Sequence, residues 1–370
     1  MTATPTSDNA LMQRSIAGRL LFWFLVIALI PCAVLTAITA RIAATALEAS
    51  VRDNLVQIAA AKAGELEAYA AERVKDGSAL ARGPSVVQAM RELSAAATAA
   101  DGDRRGRLTT LGNAFDAYFN YVATAYGYEQ LLLIDGGGRV LYALDDSIPP
   151  DTQTLGGGLA ASELAVSFDR ARTLLQSDLS GFQTYGKAAR PLAFVTCPVF
   201  DGGRVIGVVA LGLGPERVWR VLSDLTGLGE TGEIVAGQLV GNAVVITTPL
   251  RHAADAAFRM QISLGADQAR ATQAAASGDR GYGTVRDYRG TEVAAAWCYV
   301  PSFRWGLVVK QDAREAFGLV RFQRAAIIGL SLATIVGVTL AALVVARTIS
   351  SPIRTAVAVA KQVAGGDLRA

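Results

Sequence analysis

Ala325 to Ala346 reads AAIIGLSLATIVGVTLAALVVA, an unbroken run of apolar and small residues held between Arg324 and Arg347. About 20 residues at roughly 1.5 Å rise each span the ~30 Å hydrocarbon core of a bilayer. A second run, Leu20 to Ala40 (LLFWFLVIALIPCAVLTAITA), follows Arg14 and Arg19 near the other end. A signal peptide has a shorter apolar core, about 7–15 residues, before a small-x-small cleavage site. AITA has that spacing, but this core is long enough to span, so the run reads as an anchor. Pro31 is tolerated in a membrane helix and can kink it. Two spans put everything between them on one side of the membrane. Arg14 and Arg19 before the first, and Arg347, Arg354 and Lys361 after the second, place both ends in the cytoplasm. Arg41, Arg321 and Arg324 oppose that bias.

A chain of 370 residues holds two or three folded units. Its net charge of +3 is too small to argue for nucleic acid as a partner. Three cysteines without a CxxC pair, and one histidine, His252, argue against a Cys/His zinc site. No cofactor is expected. GxSxG, HExxH and P-loop motifs are absent, and one histidine leaves triad chemistry without candidates. Asp145-Asp146 falls in a loop pattern and reads as solvated, not catalytic. Gly227 to Gly232 satisfies GxGxxG, but a helical pattern precedes it and a strand follows. A dinucleotide site needs the reverse order, so this is read as a turn between units.

Between the spans the pattern changes once. Arg41 to Arg82 has no proline and is rich in Ala, Leu, Glu and Lys. Leu47, Val51, Leu55 and Ile58 share a face, continued by Leu66 and Tyr69, which predicts a long amphipathic helix. Such a stripe cannot bury itself alone. Pairing with a second copy is the usual solution, so a homodimer is expected. Gly83-Pro84 interrupts the helix, and shorter helices are predicted over 85–97 and 108–125, with a turn at Ala99 to Arg105. From Glu129 the period is two. QLLLIDGGGRVLYAL reads as strand, turn and strand, and a helical stretch follows at Ala160 to Gln176. Three strands come next, SGFQTYG, PLAFVTCPVF and RVIGVVALGL, with Asp201-Gly202-Gly203 as a hairpin turn.

After a helix at Glu216 to Thr226 the order recurs. GEIVAGQLVGNAVVIT is a strand pair, and GYGTVRDYRG, TEVAAAWCYVPS and RWGLVVKQDAREAF are three more strands. Cys197 aligns with Cys298, Gly207 with Gly306, and Glu216 with Glu315, at offsets near 100. Two copies of strand pair, connection and three antiparallel strands describe two PAS-like units. Cys197 and Cys298 then occupy equivalent strands of different units, beyond disulfide reach, and are expected as buried thiols.

Residues 41–324 resemble the double Cache sensor domain of bacterial receptors. GYEQLLLIDGGGRVLY matches its first hairpin, GLGETGEIVAG the start of its second unit, and WGLVVKQDAREAF its closing strand. RTISSPIRTAVAVAKQVAGGDLRA resembles the first helix of a HAMP linker. Pro352 opens the helix, Ile353, Ala356, Ala360 and Val363 form a seam, and Gly366-Asp367-Leu368 follow. The resemblance implies an α+β chain in which two transmembrane helices flank a long helical stalk and two PAS-like antiparallel-sheet units, followed by a partial HAMP helix. The boundaries are 1–19 tail, 20–40 span, 41–125 stalk, 126–224 membrane-distal unit, 225–320 membrane-proximal unit, 325–346 span and 347–370 HAMP.

The same resemblance implies the sensory half of a receptor in a bacterial inner membrane, its sensor periplasmic, with a cytoplasmic output domain in cis. A histidine kinase output is favoured over a chemotaxis or cyclase one. A membrane-tethered extracytoplasmic enzyme is the rival class. For a small-molecule ligand, the candidates are Tyr118, Tyr121, Tyr128, Tyr185 and Arg190, aromatic walls with one cation around the middle strands of the distal unit. Amino-acid-binding members place an aspartate near the end of the strand equivalent to VIGVVALGL, where this chain has Gly212. Arg190 suits a carboxylate.

Overall fold

The computed structural model describes residues 16–99, 102–187 and 189–364. Two bodies form: residues 51–316, and the chain ends 1–50 with 317–370.

Helix α1 (Ile16–Leu80) is continuous from the first apolar run onward. Within the larger body its buried positions are Leu55, Ala59, Lys62, Leu66, Ala70, Arg73 and Gly77, three or four apart. This is one helix face. Lys62, Arg73 and Gly77 interrupt its apolar character, so the sequence shows only part of it, and Ile58 and Tyr69 are half-buried. The two cations are held by partners. Lys62 Nζ lies 3.0 Å from Asp224, and Arg73 donates to the Tyr126 carbonyl at 2.8 Å. From Leu55 to Gly77 the chain itself covers the stripe. The expectation that a second copy must cover it therefore loses its ground over these residues.

Helix α2 (Pro84–Thr98) starts on a proline whose missing N–H costs nothing there. It buries Val86, Met90 and Leu93 completely. The single helix expected over 108–125 is two, α3 (Arg104–Gly112) and α4 (Asp116–Tyr126). Asp103 caps α3 by accepting from the Gly106 N–H at 2.9 Å. Residues 84–98, within the expected stalk, pack on the first sheet, where Met90 reaches Gly207.

The first sheet holds β1 (Gln130–Asp135), β2 (Val140–Ala143), β3 (Asp178–Leu179), β4 (Gln183–Tyr185), β5 (Arg190–Asp201) and β6 (Arg204–Leu213), with α5 (Glu163–Leu174) between β2 and β3. Its order is β2-β1-β6-β5-β3, and β4 also pairs with β5. Helix α5 covers one face through Leu164, Phe168 and Ala171, packed with Leu132, Phe194 and Val208. The β5–β6 turn is the expected two-residue hairpin, with Gly202 and Gly203 at φ 54° and 82°.

Helix α6 (Glu216–Ser223) leads to the second sheet: β7 (Glu233–Val240), β8 (Ala243–Ile246), β9 (Gln261–Ser263), β10 (Gly281–Arg286), β11 (Glu292–Val300) and β12 (Trp305–Asp312), with α7 (Arg270–Ala276) between β9 and β10. Its order is β10-β11-β12-β7-β8-β9. The path β2-β1-β6-β5-β4 thus recurs as β8-β7-β12-β11-β10, and every pairing is antiparallel. The structure has the α+β class expected, with two PAS-like sheets and a long N-terminal helix.

The repeat aligns differently in detail. Twelve residues separate Cys197 from its partner Val209, and nine separate Cys298 from its partner Leu307. Equating the cysteines therefore equates Val209 with Leu307, an offset of 98. The Gly207–Gly306 alignment, at 99, is one residue out, and one residue reverses the face of a strand. A Cβ on Gly207 would meet Met90 of α2, whereas one on Gly306 would meet Ala275 and Ala276 of α7.

Helix α8 (Ala313–Ala316) follows β12, and α9 (Gly318–Ala364) lies in the other body. Among the described residues, two helices are long and apolar enough to cross a membrane, α1 and α9, the latter at Ala325–Val345. Pro352 falls inside α9, so no break separates the apolar run from the helix expected after it. The Gly366-Asp367-Leu368 motif lies outside the described residues.

Candidate functional site

A cavity of about 840 Å³ opens beside the first sheet. Its walls come from four places in the chain: Arg105 of α3, the loop Asp145 to Pro149 after β2, Tyr185 to Lys187 at the end of β4, and Arg190 at the start of β5. The local reason is the β4–β5 turn. Gly186 at φ 70° lets the chain reverse, and the same turn sets Lys187 and Arg190 on the cavity. A smaller cavity of about 210 Å³ adjoins it, sharing Ser147, Pro149, Tyr185 and Gly186, and is lined by Ile148, Leu159 and Ser162.

Arg190 is not a free cation. It pairs with Asp145. Asp145 in turn accepts from the Ser147 N–H at 2.8 Å and from Gln130 Nε2. Asp145, read from sequence as solvated, is thus the centre of a polar cluster, while Asp146 stays exposed. Arg105 and Lys187 are exposed cations on the same cavity, and among the described residues their side chains have neither hydrogen bond nor ion pair. The available charge is therefore two cations and the Asp146 carboxylate, beside a neutralised Arg190–Asp145 pair. An anionic solute gains charge-assisted hydrogen bonds there.

Tyr185 is on the cavity wall, yet its side chain is only 4% exposed. Its hydroxyl accepts from the Leu164 N–H at 3.0 Å and donates to Gln183 Oε1 at 3.4 Å. Its ring meets Phe194 edge-on at 5.2 Å. Burial pushes its phenol well above the ordinary range. Tyr185 therefore shapes the wall and holds the start of α5, with its hydroxyl already committed.

The other three tyrosines do not line either cavity. Tyr128 is buried against α1, where its hydroxyl donates to the Arg73 carbonyl at 3.4 Å and Arg73 lies 5.9 Å from its ring. Tyr118 packs on Phe119 at 5.5 Å, and Tyr121 is 70% exposed. Of the five candidates, the structure brings together Tyr185 and Arg190. It adds Arg105 and Lys187. Arg105 sits in the charged AADGDRR turn and Lys187 in the GK turn, and neither carries a local signal for convergence. At Gly212 a Cβ would fall 2.7 Å from Gln130 Cβ, so β1 occupies that place.

The Gly227–Gly232 stretch is a turn closed by Glu315, which accepts from the Glu230 and Thr231 N–H groups at 2.7 and 2.8 Å. Among the described residues no group of three or more His, Cys, Asp or Glu is placed to hold a metal ion.

No family model and no curated protein matches the sequence. Solved structures do resemble it. The ligand-binding domain of the Campylobacter jejuni chemoreceptor Tlp3, in complex with L-norvaline, covers 73% of this chain and 94% of its own at 12% identity and a TM-score of 0.49. That of the Pseudomonas aeruginosa amino acid chemoreceptor PctB, in complex with L-Arg, covers 74% and 93% at 15% identity and a TM-score of 0.47. That of the Pseudomonas fluorescens chemoreceptor CtaA, in complex with L-isoleucine, covers 74% and 98% at 12% identity and a TM-score of 0.45.

Proposed function

We propose that this chain is the sensory part of a membrane receptor whose first sheet unit binds a small anionic solute. The observation that carries this reading is the cavity with the side chains of Arg105 and Lys187 on its wall, unpartnered among the described residues. Such a concave site with a few convergent polar groups is the usual form of a small-molecule site. Carboxylates are the class we favour, since planar Arg and compact Lys both suit them. The fold alone does not carry function.

The membrane reading rests on the apolar stretches of α1 and α9, which expose Trp23, Ile27, Leu35, Ile328, Leu330 and Leu332. On this reading the sheets are periplasmic, both termini are cytoplasmic, and the protein sits in the inner membrane of a bacterium. The domain boundaries given above are part of the same proposal. So are a homodimer, for which the half-buried Leu47 and Val51 ahead of the covered part of the stripe leave apolar surface, and a histidine kinase output, resting on the HAMP-like pattern of residues 347–370. Reporter fusions at Gly102 and after Ala364 should report opposite sides of the membrane; the same side for both rules out two spans.

The binding test is a thermal shift of the full chain in detergent with mono-, di- and tricarboxylates, acidic amino acids and neutral analogues. Ligand at about 100 times its Kd stabilises by about 2.7 kcal/mol. A carboxylate should raise the melting temperature, and Arg105→Ala with Lys187→Ala should abolish that gain. A gain from neutral solutes alone, or one that survives both substitutions, overturns the reading.

A further inference from the structure

The segment Gly181 to Lys187 touches three places at once. Tyr185, Gly186 and Lys187 line the cavity. Gln183 and Tyr185 hold the first turn of α5, accepting from the Glu163 and Leu164 N–H groups at 2.8 and 3.0 Å. Phe182, 5% exposed, points the other way and packs on the second unit, with ring centroids 5.3 Å from Trp305, 5.9 Å from Phe258 and 6.0 Å from Phe303. Alternate residues of an extended chain point to opposite sides, so Phe182, just before β4, and Gln183 and Tyr185 within it can serve different units.

Glu163 makes the same crossing through charge. Its carboxylate accepts from the Gly181 N–H at 3.1 Å and pairs with Arg304. Arg304 is the last residue of the β11–β12 turn, at φ 57°, a left-handed conformation that a side chain makes costly. Surrounding contacts must impose it. On one side Ser302 of the turn donates its N–H and hydroxyl to Glu67 of α1, at 3.0 and 2.6 Å. On the other, Glu163 takes Arg304. The turn opens directly into β12, which runs from the buried Trp305 to Asp312 and on into α8.

We infer that Gly181–Lys187 and Glu163 together form a mechanical link. It carries a change at the cavity to the β11–β12 turn, and the Glu163–Arg304 pair is its joint. This rests on the first unit being the ligand-binding one, but the link itself is a property of the unliganded chain. A displacement of Lys187 or Gly186 by a bound solute moves β4, and β4 cannot move without disturbing either the α5 start or the Phe182 contact. Both lead to Arg304. Coupling of this kind needs an element that two sites bias, and the strained turn, held by carboxylates from two directions, is that element.

The test needs no ligand. Amide hydrogen exchange is measured on the full chain in detergent, for the parent, Tyr185→Phe, Glu163→Gln and the double variant. Tyr185→Phe keeps the ring and removes only the hydroxyl that holds Leu164. The Ser302 and Arg304 amides should exchange about fivefold or more faster in each single variant, and the double variant should add little to either. Unchanged exchange of the β7 and β8 amides shows that the fold is kept. Arg304→Lys, which keeps the charge, should exchange close to the parent. Turn amides that ignore Tyr185→Phe, or effects of the two substitutions that multiply independently, overturn the link. A failed carboxylate screen with coupled exchange would instead reject only the ligand assignment.

Discussion

Cys197 and Cys298 both turn towards α1, five helical turns apart on that helix. Cys298 Sγ contacts the Ala59 carbonyl at 3.7 Å, and a Cβ on Gly77 would lie 2.8 Å from Cys197 Sγ. Ala59 and Gly77 are 18 positions apart, a whole number of turns at 3.6 residues each. The two sheets therefore dock on one face of one helix through the same strand of each repeat. Small residues on the helix and a thiol on the strand permit the close approach.

Gly77→Ala tests that approach. In an exposed helix the change would stabilise by about 1 kcal/mol. Here the new methyl also meets Val195 Cγ1 at 3.0 Å. Overpacking of this kind costs about 1–3 kcal/mol, so the melting temperature should fall. Adding Cys197→Ala in the same chain should restore most of the loss; a Gly77→Ala chain that melts higher than the parent would contradict the packing described.

Reactivity gives a second reading of the same contact. Burial pushes the Cys197 thiol up to about 11, against weaker opposing hydrogen bonds from Ser177 and Ser78. The thiolate is the reactive form, so alkylation near about pH 8 should be slow in the folded chain. It should accelerate in step with unfolding, read by mass spectrometry against Cys298. Fast labelling of the native protein at Cys197 would show the strand is not closed onto α1.

Arg190→Ala should behave unlike Arg105→Ala. Removing Arg190 leaves Asp145 with Gln130 and Ser147 but no cation, and the unliganded protein should melt lower. Removing the Arg105 side chain strands no partner among the described residues, and the unliganded melting temperature should be within about 1 °C of the parent. Equal effects of the two would mean that Arg190 is as free as Arg105.

Lys310 is the buried charge of the second unit. Its side chain is 4% exposed and lies 2.7 Å from Glu233, beside Asp287 and 4.4 Å from the Tyr288 ring centre. Lys310→Met leaves two buried carboxylates, of which Asp287 keeps Arg289. Breaking one partner of such a cluster costs about 3–5 kcal/mol. A fall in melting temperature of roughly 6 °C or more is expected by calorimetry. A neutral result would show that the cluster is solvated.

The Glu129 carboxyl is held above the ordinary carboxylate range, by burial first and then by the Glu216 carboxylate. With the folded value above the unfolded one, its contribution to stability is present below about pH 4.3 and lost as pH rises through the raised value. Near about pH 7 the charged group works against the fold. Glu129→Gln should therefore melt higher than the parent at neutral pH, and the advantage should shrink on acidification. A melting curve for the variant that parallels the parent across that range would refute the assignment.

The repeat was legible because strand alternation and the Asp201-Gly202-Gly203 hairpin are local signals. The cysteine equivalence kept the correct faces, while the glycine equivalence missed by one residue, because the two hairpins differ in length. The stripe on α1 was half legible: Leu55 and Leu66 carry it openly, but Lys62, Arg73 and Gly77 lie on it through partners far along the chain. The site was least legible. Arg190 looked available because Asp145, 45 residues earlier, gives no sign of reaching it. Tyr128 looked like a wall because its commitment to Arg73 of α1 crosses 55 residues.

The helix that carries both sheets is made before either of them, and its contact at Ala59 awaits a strand 239 residues later. At about 5–20 residues per second, synthesis leaves the docking face uncovered for roughly 10–50 s. Contacts closing such long loops also form slowly. A nascent α1 thus presents an unsatisfied stripe of alternating apolar and cationic groups to whatever is near, and shielding of that stripe during synthesis becomes a requirement of the architecture.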